Sequence, residues 1–247
     1  MPKQRLAVVT GGMGGLGETI STKMADAGYK VVVTYSPSNT KYKSWLDEMK
    51  GKGYGFAAYP VDVVSYEDSA AKCAQIRKEC GDIDILVNNA GITRDMTFKK
   101  MSKSDWDAVM RTNLDSCFNM TKQVMDGMMG RGWGRVINIS SVNGQKGAFG
   151  QTNYSAAKAG MAGFSKALAQ EVVKKGVTVN TVSPGYVETD MVMAIRPEIR
   201  EQIVASIPMG RLARPGEIAA VVAFLASEEA GYITGANISV NGGMHMM

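Results

Sequence analysis

RLAVVTGGMGGLGETISTKMADAGYKVVVTYS, residues 5–36, combines three patterns in a fixed order. An apolar run at 6–9 is followed by a cluster of glycines and then by apolar residues at helical spacing. Those spaced residues are Leu16, Ile20, Met24 and Ala27. Gly28 ends the helical pattern, and a second apolar run follows at 31–33. This order predicts a strand, a tight glycine turn, a helix and a strand, the first half of a doubly wound nucleotide-binding sheet.

The glycine turn is the predicted cofactor loop. Glycines let backbone amides approach a pyrophosphate, and the amino end of the following helix adds partial positive charge. Flexible loops also contain glycines, but the strand and helix on either side favour dinucleotide binding here. The residues that we assign to this loop are Gly11, Met13, Gly14, Gly15, Leu16 and Gly17.

Strand and helix patterns keep alternating along the rest of the chain. Further strands are predicted near 56–61, 83–88, 135–140, 177–182 and 237–240. Further helices are predicted near 41–50, 65–80, 104–129, 154–174, 188–206 and 215–227. Such alternation predicts an α/β fold of the Rossmann type, a doubly wound parallel sheet with helices on both faces. Residues 1–247 are expected to form a single domain, because no linker or repeat interrupts the pattern.

A second informative stretch is NISSVNGQKGAFGQTNYSAAK, residues 138–158, which leads from a strand through a glycine-rich loop into a helix. Tyr154 and Lys158 are four residues apart, so a helix places the phenol and the ammonium on one face. A phenol titrates near about 10 in water, and a nearby cation is expected to lower that pKa. The pair suits a proton donor to a ketone, although an exposed helix face could carry the same spacing.

Composition excludes several classes of function. The only histidine of the 247 residues, His245, is near the end of the chain, so neither a histidine triad nor a metal site is expected. The net charge is +5, but the basic residues do not form a stripe with interleaved aromatic residues, so we expect no nucleic-acid partner. No run approaches the length of a membrane span and no secretory leader is seen, so a cytoplasmic location without a membrane partner is expected.

Four motifs occur along this chain in the same order as in a known family. They are Thr10-Gly11-x-x-x-Gly15-x-Gly17, Asn88-Asn89-Ala90-Gly91, Asn113 in RTNLDSCFNMTK, and Ser141 with Tyr154-x-x-x-Lys158. With SPG at 183–185 and NGG at 241–243, the chain resembles the short-chain dehydrogenases/reductases over essentially its whole length. The resemblance implies that Ser141 polarises the substrate carbonyl and that Tyr154 donates the proton. It also implies that Lys158 binds the nicotinamide ribose, and that Asn113 breaks the local helical hydrogen-bond ladder and holds a water leading protons to the lysine.

The resemblance extends the cofactor site beyond the glycine turn. The further residues that it implies are Asp62, Val63, Asn89, Ala90, Gly91, Lys158, Pro184, Gly185 and Val187. Residues 34–39, at the end of the second strand, contain no carboxylate to bind a ribose 2′-hydroxyl. A 2′-phosphate would instead meet Ser36, Ser38 and Lys41, which favours NADPH/NADP+. Gly14 departs from the family, which often has a basic NADP-binding residue there.

Within the family, the chain resembles bacterial 3-oxoacyl thioester reductases, above all those that reduce acetoacetyl-CoA to (R)-3-hydroxybutyryl-CoA for polyhydroxybutyrate synthesis. The 3-oxoacyl-carrier-protein reductases of fatty-acid synthesis are the close alternative. Positions matching the acyl chain or its carrier are Asp95, Lys100, Ser141, Phe149, Gly150, Gln151, Tyr154 and Tyr186. Some relatives act only as dinucleotide-binding sensors or scaffolds, but these usually lose the tyrosine or the lysine that this chain keeps.

Two larger features are also implied by the resemblance. Residues about 186–206 match a mobile lid over the acyl group, with apolar Val187, Met191, Val192, Met193 and Ile195. Relatives form homotetramers through the long helices near 104–129 and 154–174 and through the last strand. The apolar ending GGMHMM fits burial against a neighbouring subunit, although loose chain ends are also common.

Overall fold

A seven-stranded parallel sheet forms the centre of the protein, and its computed structural model describes residues 4–246. The strands are β1 (Leu6–Val9), β2 (Lys30–Tyr35), β3 (Ala57–Pro60), β4 (Ile83–Asn88), β5 (Gly134–Ile139), β6 (Val177–Pro184) and β7 (Asn237–Val240). Their order in the sheet is β3-β2-β1-β4-β5-β6-β7, and every neighbouring pair is parallel. The predicted α/β class, Rossmann-type topology and single domain are confirmed.

Helices cover both faces of the sheet. They are α1 (Gly15–Asp26), α2 (Tyr42–Gly51), α3 (Tyr66–Cys80), α4 (Lys103–Met110), α5 (Ser116–Arg131), α6 (Val142–Lys146), α7 (Thr152–Val172), α8 (Asp190–Met193), α9 (Pro197–Ala205) and α10 (Pro215–Ala226). Successive strand residues point to opposite faces, so Ala7 and Val9 pack with α1, α2 and α10. Leu6 and Val8 pack with α3, α5 and α7 on the other face.

Three helical segments differ from the predicted ones. The helix predicted over 104–129 contains a π-helical turn, Arg111–Asp115, between α4 and α5. The segment 188–206 forms two helices, because the residue before a proline disfavours helical geometry and Arg196 precedes Pro197 with a ψ of 138°. The glycine-rich loop after β5 contains a short helix, α6, which Ser141 caps by accepting a hydrogen bond from the Asn143 amide. Each difference lies at the carboxyl-terminal edge of the sheet, where the candidate site is found.

Within residues 4–246, no helix is both long enough and apolar enough to cross a membrane.

Candidate active site

The glycine-rich loop after β1 is bound to the loop after β4. The Thr10 hydroxyl accepts hydrogen bonds from the backbone amides of Asn89 (2.9 Å) and Ala90 (3.0 Å). The Asn89 side-chain amide donates in return to the carbonyls of Thr10 (3.0 Å) and Gly11 (3.2 Å). These bonds join two of the predicted motifs, 79 residues apart in the chain, into one wall of a cleft.

Two glycines shape this wall. Gly11 has a φ of 61°, a left-handed conformation that glycine adopts without strain. A Cβ atom on Gly17 would lie 2.1 Å from the carbonyl oxygen of Gly11, so only glycine lets helix α1 begin this close to the loop. The result is a side-chain-free cradle at the amino end of α1, and these residues fit a dinucleotide pyrophosphate.

A cleft of about 680 Å³ opens along the carboxyl ends of the strands, where ligands of doubly wound sheets bind. Most residues that the sequence assigned to the site line it. On the cofactor side these are Gly11, Gly14, Gly15, Leu16, Gly17, Asn89, Ala90, Gly91, Pro184, Gly185 and Val187. On the reaction side they are Asp95, Ser141, Gln151, Tyr154, Lys158 and Tyr186.

The remaining assigned residues do not line this cleft. They are Met13, Ser36, Ser38, Lys41, Asp62, Val63, Lys100, Asn113, Phe149 and Gly150. Asn113 lies directly behind the wall, since a Cβ on Gly91 would be 3.1 Å from its Oδ1 and 3.5 Å from Lys158 Nζ. Phe149 is 93% exposed, so the chain by itself does not enclose this aromatic side chain.

Tyr154, Lys158 and Ser141 meet in the cleft. Tyr154 and Lys158 lie in the first two turns of α7, and Lys158 Nζ is 5.6 Å from the centre of the Tyr154 ring. The ammonium is buried and donates a hydrogen bond to the carbonyl of Ile139 (2.7 Å). Ser141 caps α6 by accepting from the backbone amide of Asn143 (3.1 Å). Because Ser141 Oγ accepts this bond, its own hydroxyl hydrogen can be donated, either to the Tyr154 oxygen or to a substrate oxygen that enters between them.

Burial dominates the protonation of the pair. It raises the pKa of Tyr154, while the hydrogen bond with Ser141 acts in the opposite direction. The pKa of this phenol therefore lies above its ordinary value and not below it, as the spacing to Lys158 had predicted, because the desolvation of the phenolate outweighs the other influences. Burial also lowers the pKa of Lys158 to about 8. At neutral pH the tyrosine thus carries its proton and the lysine its positive charge.

Asn113 lies in the π-helical turn between α4 and α5 and is fully buried. Its side chain accepts from the backbone amide of Ile92 (2.8 Å) and donates to the carbonyl of Ile92 (2.9 Å). The disturbed hydrogen-bond ladder that the resemblance implied at this position is present. A π-helical turn of this kind is frequent at functional sites, and here it joins α4 and α5 to the loop beside Lys158.

Three polar residues of the site were not recognised in the sequence. Ser140 donates its hydroxyl to the carbonyl of Lys158 (2.8 Å). Asn153 is fully buried and accepts from the Tyr154 amide (2.7 Å) while donating to the Arg94 carbonyl (3.1 Å). Asn143, also buried, contacts Gln151. In the sequence, only their closeness to Ser141 and Tyr154 marks these residues.

The end of β2 carries the residues predicted to meet a 2′-phosphate. The hydroxyls of Ser36 and Ser38 are 2.9 Å apart, and both residues are exposed. The Lys41 backbone amide donates to Asn39 Oδ1 (2.8 Å), which turns the chain into α2. Tyr35 stacks on Tyr42 behind this turn, with ring centres 4.8 Å apart. The result is a hydroxyl-rich surface beside the cofactor cradle.

The segment 186–206 lies across the cleft. Val187, Val192, Ile195 and Ile203 contribute apolar side chains to its lining. A Cβ atom on Gly15 would be 3.8 Å from Thr189 Cγ2, so this segment reaches the glycine-rich loop. The side chain of Met191 lies outside the described part of the protein.

Among the described side chains, no group of three or more histidine, cysteine, aspartate or glutamate residues could hold a metal ion.

Comparison with known proteins places this arrangement in a family. A family model described as enoyl-(acyl carrier protein) reductase matches residues 11–245. An acetoacetyl-CoA reductase from Cupriavidus necator is 56% identical over 98% of this chain and 99% of that protein. Another from Allochromatium vinosum is also 56% identical, over the same shares. A 3-oxoacyl-[acyl-carrier-protein] reductase from Vibrio cholerae is 47% identical over 98% of both chains.

Relatives of this similarity cover nearly the whole chain, and the family model includes the glycine-rich loop, the Tyr154-x-x-x-Lys158 pair and the last strand. Members of this family are oxidoreductases that use nicotinamide dinucleotides. The chain therefore belongs to the short-chain dehydrogenase/reductase family and is an oxidoreductase.

Proposed function

We propose that the protein reduces acetoacetyl-CoA to (R)-3-hydroxybutyryl-CoA with NADPH, and that Tyr154 is the general acid. The observation that supports this most is the meeting of Ser141, Tyr154 and Lys158 in a cleft that the glycine-rich loop also lines. One end of the cleft fits a dinucleotide, and the other presents a protonated phenol beside the Ser141 hydroxyl. Reduction of a carbonyl group needs both ends at once.

Each residue has a separate task in the proposed reaction. Ser141 donates its hydroxyl hydrogen to the ketone oxygen and polarises the carbonyl. When bound, the reduced nicotinamide supplies a hydride to the carbonyl carbon. Tyr154 transfers its phenolic proton to the carbonyl oxygen, which completes the alcohol. Lys158 holds the ribose hydroxyls and, with the relay through Asn113, returns a proton to the phenolate.

We propose a CoA thioester as the substrate, and not a carrier-protein thioester, because of the similarity to named relatives. The two relatives at 56% identity are named acetoacetyl-CoA reductases, whereas the carrier-protein reductases from Vibrio cholerae and Salmonella typhimurium are 47% and 46% identical. We assign to Lys100, which is exposed on the turn after Asp95, an attraction for the phosphates of CoA. Reduction of carrier-protein thioesters is the alternative that these same similarities support.

Steady-state assays of NADPH oxidation test this proposal. The thioesters to compare are acetoacetyl-CoA, acetoacetyl-carrier protein and crotonyl-CoA, at equal concentrations. We expect the highest kcat/KM with acetoacetyl-CoA and no reduction of crotonyl-CoA, which has no ketone. A higher kcat/KM with the carrier-protein thioester would support the alternative. Reduction of crotonyl-CoA alone would instead assign the protein to the enoyl reductases.

We expect the protein to prefer NADPH over NADH, and Ser36→Asp to reverse part of this preference. The new carboxylate would lie where the 2′-phosphate is proposed to bind. Like charges a few ångströms apart near a protein surface repel by enough to weaken binding about tenfold or more. Dissociation constants of NADPH and NADH, measured by fluorescence titration, check the expected result, which is weaker binding of NADPH only.

Ser36→Asn is the matched control, because asparagine has the size of aspartate without its charge. It should leave the ratio of the two dissociation constants close to that of the natural protein. Equal use of NADH and NADPH by the natural protein would show that the missing carboxylate in residues 34–39 does not determine the cofactor.

We further propose that residues about 186–206 close over the acyl group as a lid. The segment is fixed at its base, because the Ala213 amide donates to the Tyr186 carbonyl (2.9 Å) and the Glu188 amide donates to the Ala213 carbonyl (2.9 Å). Beyond this base, α8 and α9 add apolar side chains to the cleft. Closure would exclude water from the hydride transfer.

Hydrogen exchange tests the lid. Amides of residues 189–206 should exchange more slowly with NADP+ and 3-hydroxybutyryl-CoA bound together than in the protein alone, whereas the base at 186–188 should change little. Tyr186→Ala should raise the KM for acetoacetyl-CoA and leave NADPH binding nearly unchanged. Exchange across 189–206 that is the same in both states would contradict a lid.

Assembly into a homotetramer and a cytoplasmic location stay predictions.

A further inference from the structure

Asn143 connects the two sides of the reaction site. It is buried and lines the cleft two residues after Ser141. Its backbone amide donates to Ser141 Oγ (3.1 Å), and its side-chain amide donates to Gln151 Oε1 (2.9 Å). Gln151 Nε2 donates in turn to Asp95 Oδ2 (2.8 Å). A single residue therefore contacts both the serine proposed to hold the ketone and the glutamine proposed to flank the acyl chain.

The direction of this hydrogen-bond chain follows from its last member. An ionised carboxylate only accepts hydrogen bonds, so Gln151 must present its NH₂ group to Asp95. The carbonyl oxygen of the same amide then faces Asn143, which must donate through its own NH₂ group. Asn143 and Asp95 together hold the Gln151 amide in one of its two orientations. The second hydrogen on Gln151 Nε2 is left for a ligand in the cleft.

A 3-oxoacyl thioester presents two carbonyl groups separated by one carbon atom. If Ser141 and Tyr154 bind the ketone oxygen, the thioester oxygen enters the same cleft, loses contact with water there and is stabilised by a donor of its own. Asp95 cannot supply one and would repel the oxygen. Gln151 supplies a donor only in the orientation that Asn143 holds, because the reversed amide would present a second acceptor.

We propose that Asn143 is a positioning residue: it orients the Gln151 amide to donate to the thioester carbonyl and thereby favours 3-oxoacyl thioesters over simple ketones. This inference rests on the proposed function. It assigns Asn143 no contact with the reacting ketone.

Two substrates that differ at one carbon position, a carbonyl in one and a methylene in the other, distinguish this role from a general structural one. S-(3-oxobutyl)-CoA, formed by adding CoA to methyl vinyl ketone, has the ketone, chain length and CoA group of acetoacetyl-CoA. A methylene group replaces its thioester carbonyl. Asn143→Ala removes the side-chain amide and keeps the backbone amide that binds Ser141. The comparison uses kcat/KM for both substrates with the natural protein and the variant.

We expect Asn143→Ala to lower kcat/KM for acetoacetyl-CoA roughly tenfold, the effect of losing one hydrogen bond to the substrate. The value for S-(3-oxobutyl)-CoA should change less than about threefold, because that substrate never used the bond. Equal losses of kcat/KM with both substrates would overturn the inference and show that Asn143 has a general structural role. An unchanged kcat/KM with both substrates would also overturn it. Failure of the natural protein to reduce acetoacetyl-CoA would instead overturn the proposed function.

Gln151→Met provides an independent variant if Asn143→Ala does not fold. Methionine keeps the length of glutamine but neither donates nor accepts through an amide. It should produce the same selective loss with acetoacetyl-CoA, and, where Asn143→Ala folds, the double variant should lose no more than Gln151→Met alone. Additive losses would show that the two residues act separately, which contradicts the positioning role. Melting temperatures and NADPH dissociation constants confirm that each variant retains the fold and the cofactor site.

Discussion

Tyr154→Phe should lower turnover of acetoacetyl-CoA by about 100- to 10,000-fold, the contribution of a positioned general acid. The variant keeps the aromatic ring and its packing at the start of α7 but has no proton to give to the ketone oxygen. Burial raises the pKa of the natural phenol, so the proton that is lost is one that the protein carries at neutral pH. Steady-state NADPH oxidation at saturating thioester measures the effect.

Binding of NADPH to Tyr154→Phe serves as the control. It should be close to that of the natural protein, because the phenolic hydroxyl is assigned to the substrate. A variant that retains more than about a tenth of natural turnover would remove Tyr154 from the role of general acid. A variant that loses NADPH binding together with turnover would show that the ring has a wider structural role.

Lys158→Ala should lose both turnover and cofactor affinity. The ammonium is buried between Tyr154 and the wall at Gly91, where it is proposed to serve the phenol and the ribose together. We expect turnover to fall by more than about 100-fold and the NADPH dissociation constant to rise. The melting temperature must be measured in parallel, since the change also leaves the buried carbonyl of Ile139 without its donor. An unchanged NADPH dissociation constant would contradict the double role.

The charge of Lys158 also predicts a pH dependence. Burial lowers its pKa to about 8, so the side chain loses its positive charge as the pH rises through that value. Tyr154 titrates above its ordinary value and stays protonated in the same interval. The kcat/KM for reduction should therefore fall above about pH 8. Lys158→Arg keeps its charge at all these pH values, so its lower activity should not decline in that range.

The strands and the cofactor loop were predictable from the sequence, because their signals are local. Alternating apolar runs and helical spacing place β1, α1 and β2 within a residue or two of their bounds in the structure. The two motifs that begin at Thr10 and Asn88 follow parallel strands, so their meeting at one edge of the sheet could also be expected. Tyr154 and Lys158 required only the geometry of a helix.

The features that the sequence did not predict depend on contacts between distant segments. The disturbed ladder at Asn113 was implied only by the family resemblance, since the two hydrogen bonds that accompany the π-helical turn join Asn113 to Ile92, 21 residues away. The raised pKa of Tyr154 depends on burial, which the spacing to Lys158 does not reveal. Asn143 resembles an ordinary loop residue until α6 brings its side chain to Gln151. No local pattern distinguishes these asparagines from those of an exposed turn.

Analysis of the product of complete reduction tests the central claim most directly. Purified protein, acetoacetyl-CoA and a slight excess of NADPH are allowed to react to the end, and the acyl-CoA is identified by mass and by chiral chromatography. The account predicts one NADPH consumed for each 3-hydroxybutyryl-CoA formed, all of it in the R configuration. Unreacted acetoacetyl-CoA with NADPH intact, or a product in the S configuration, would contradict it.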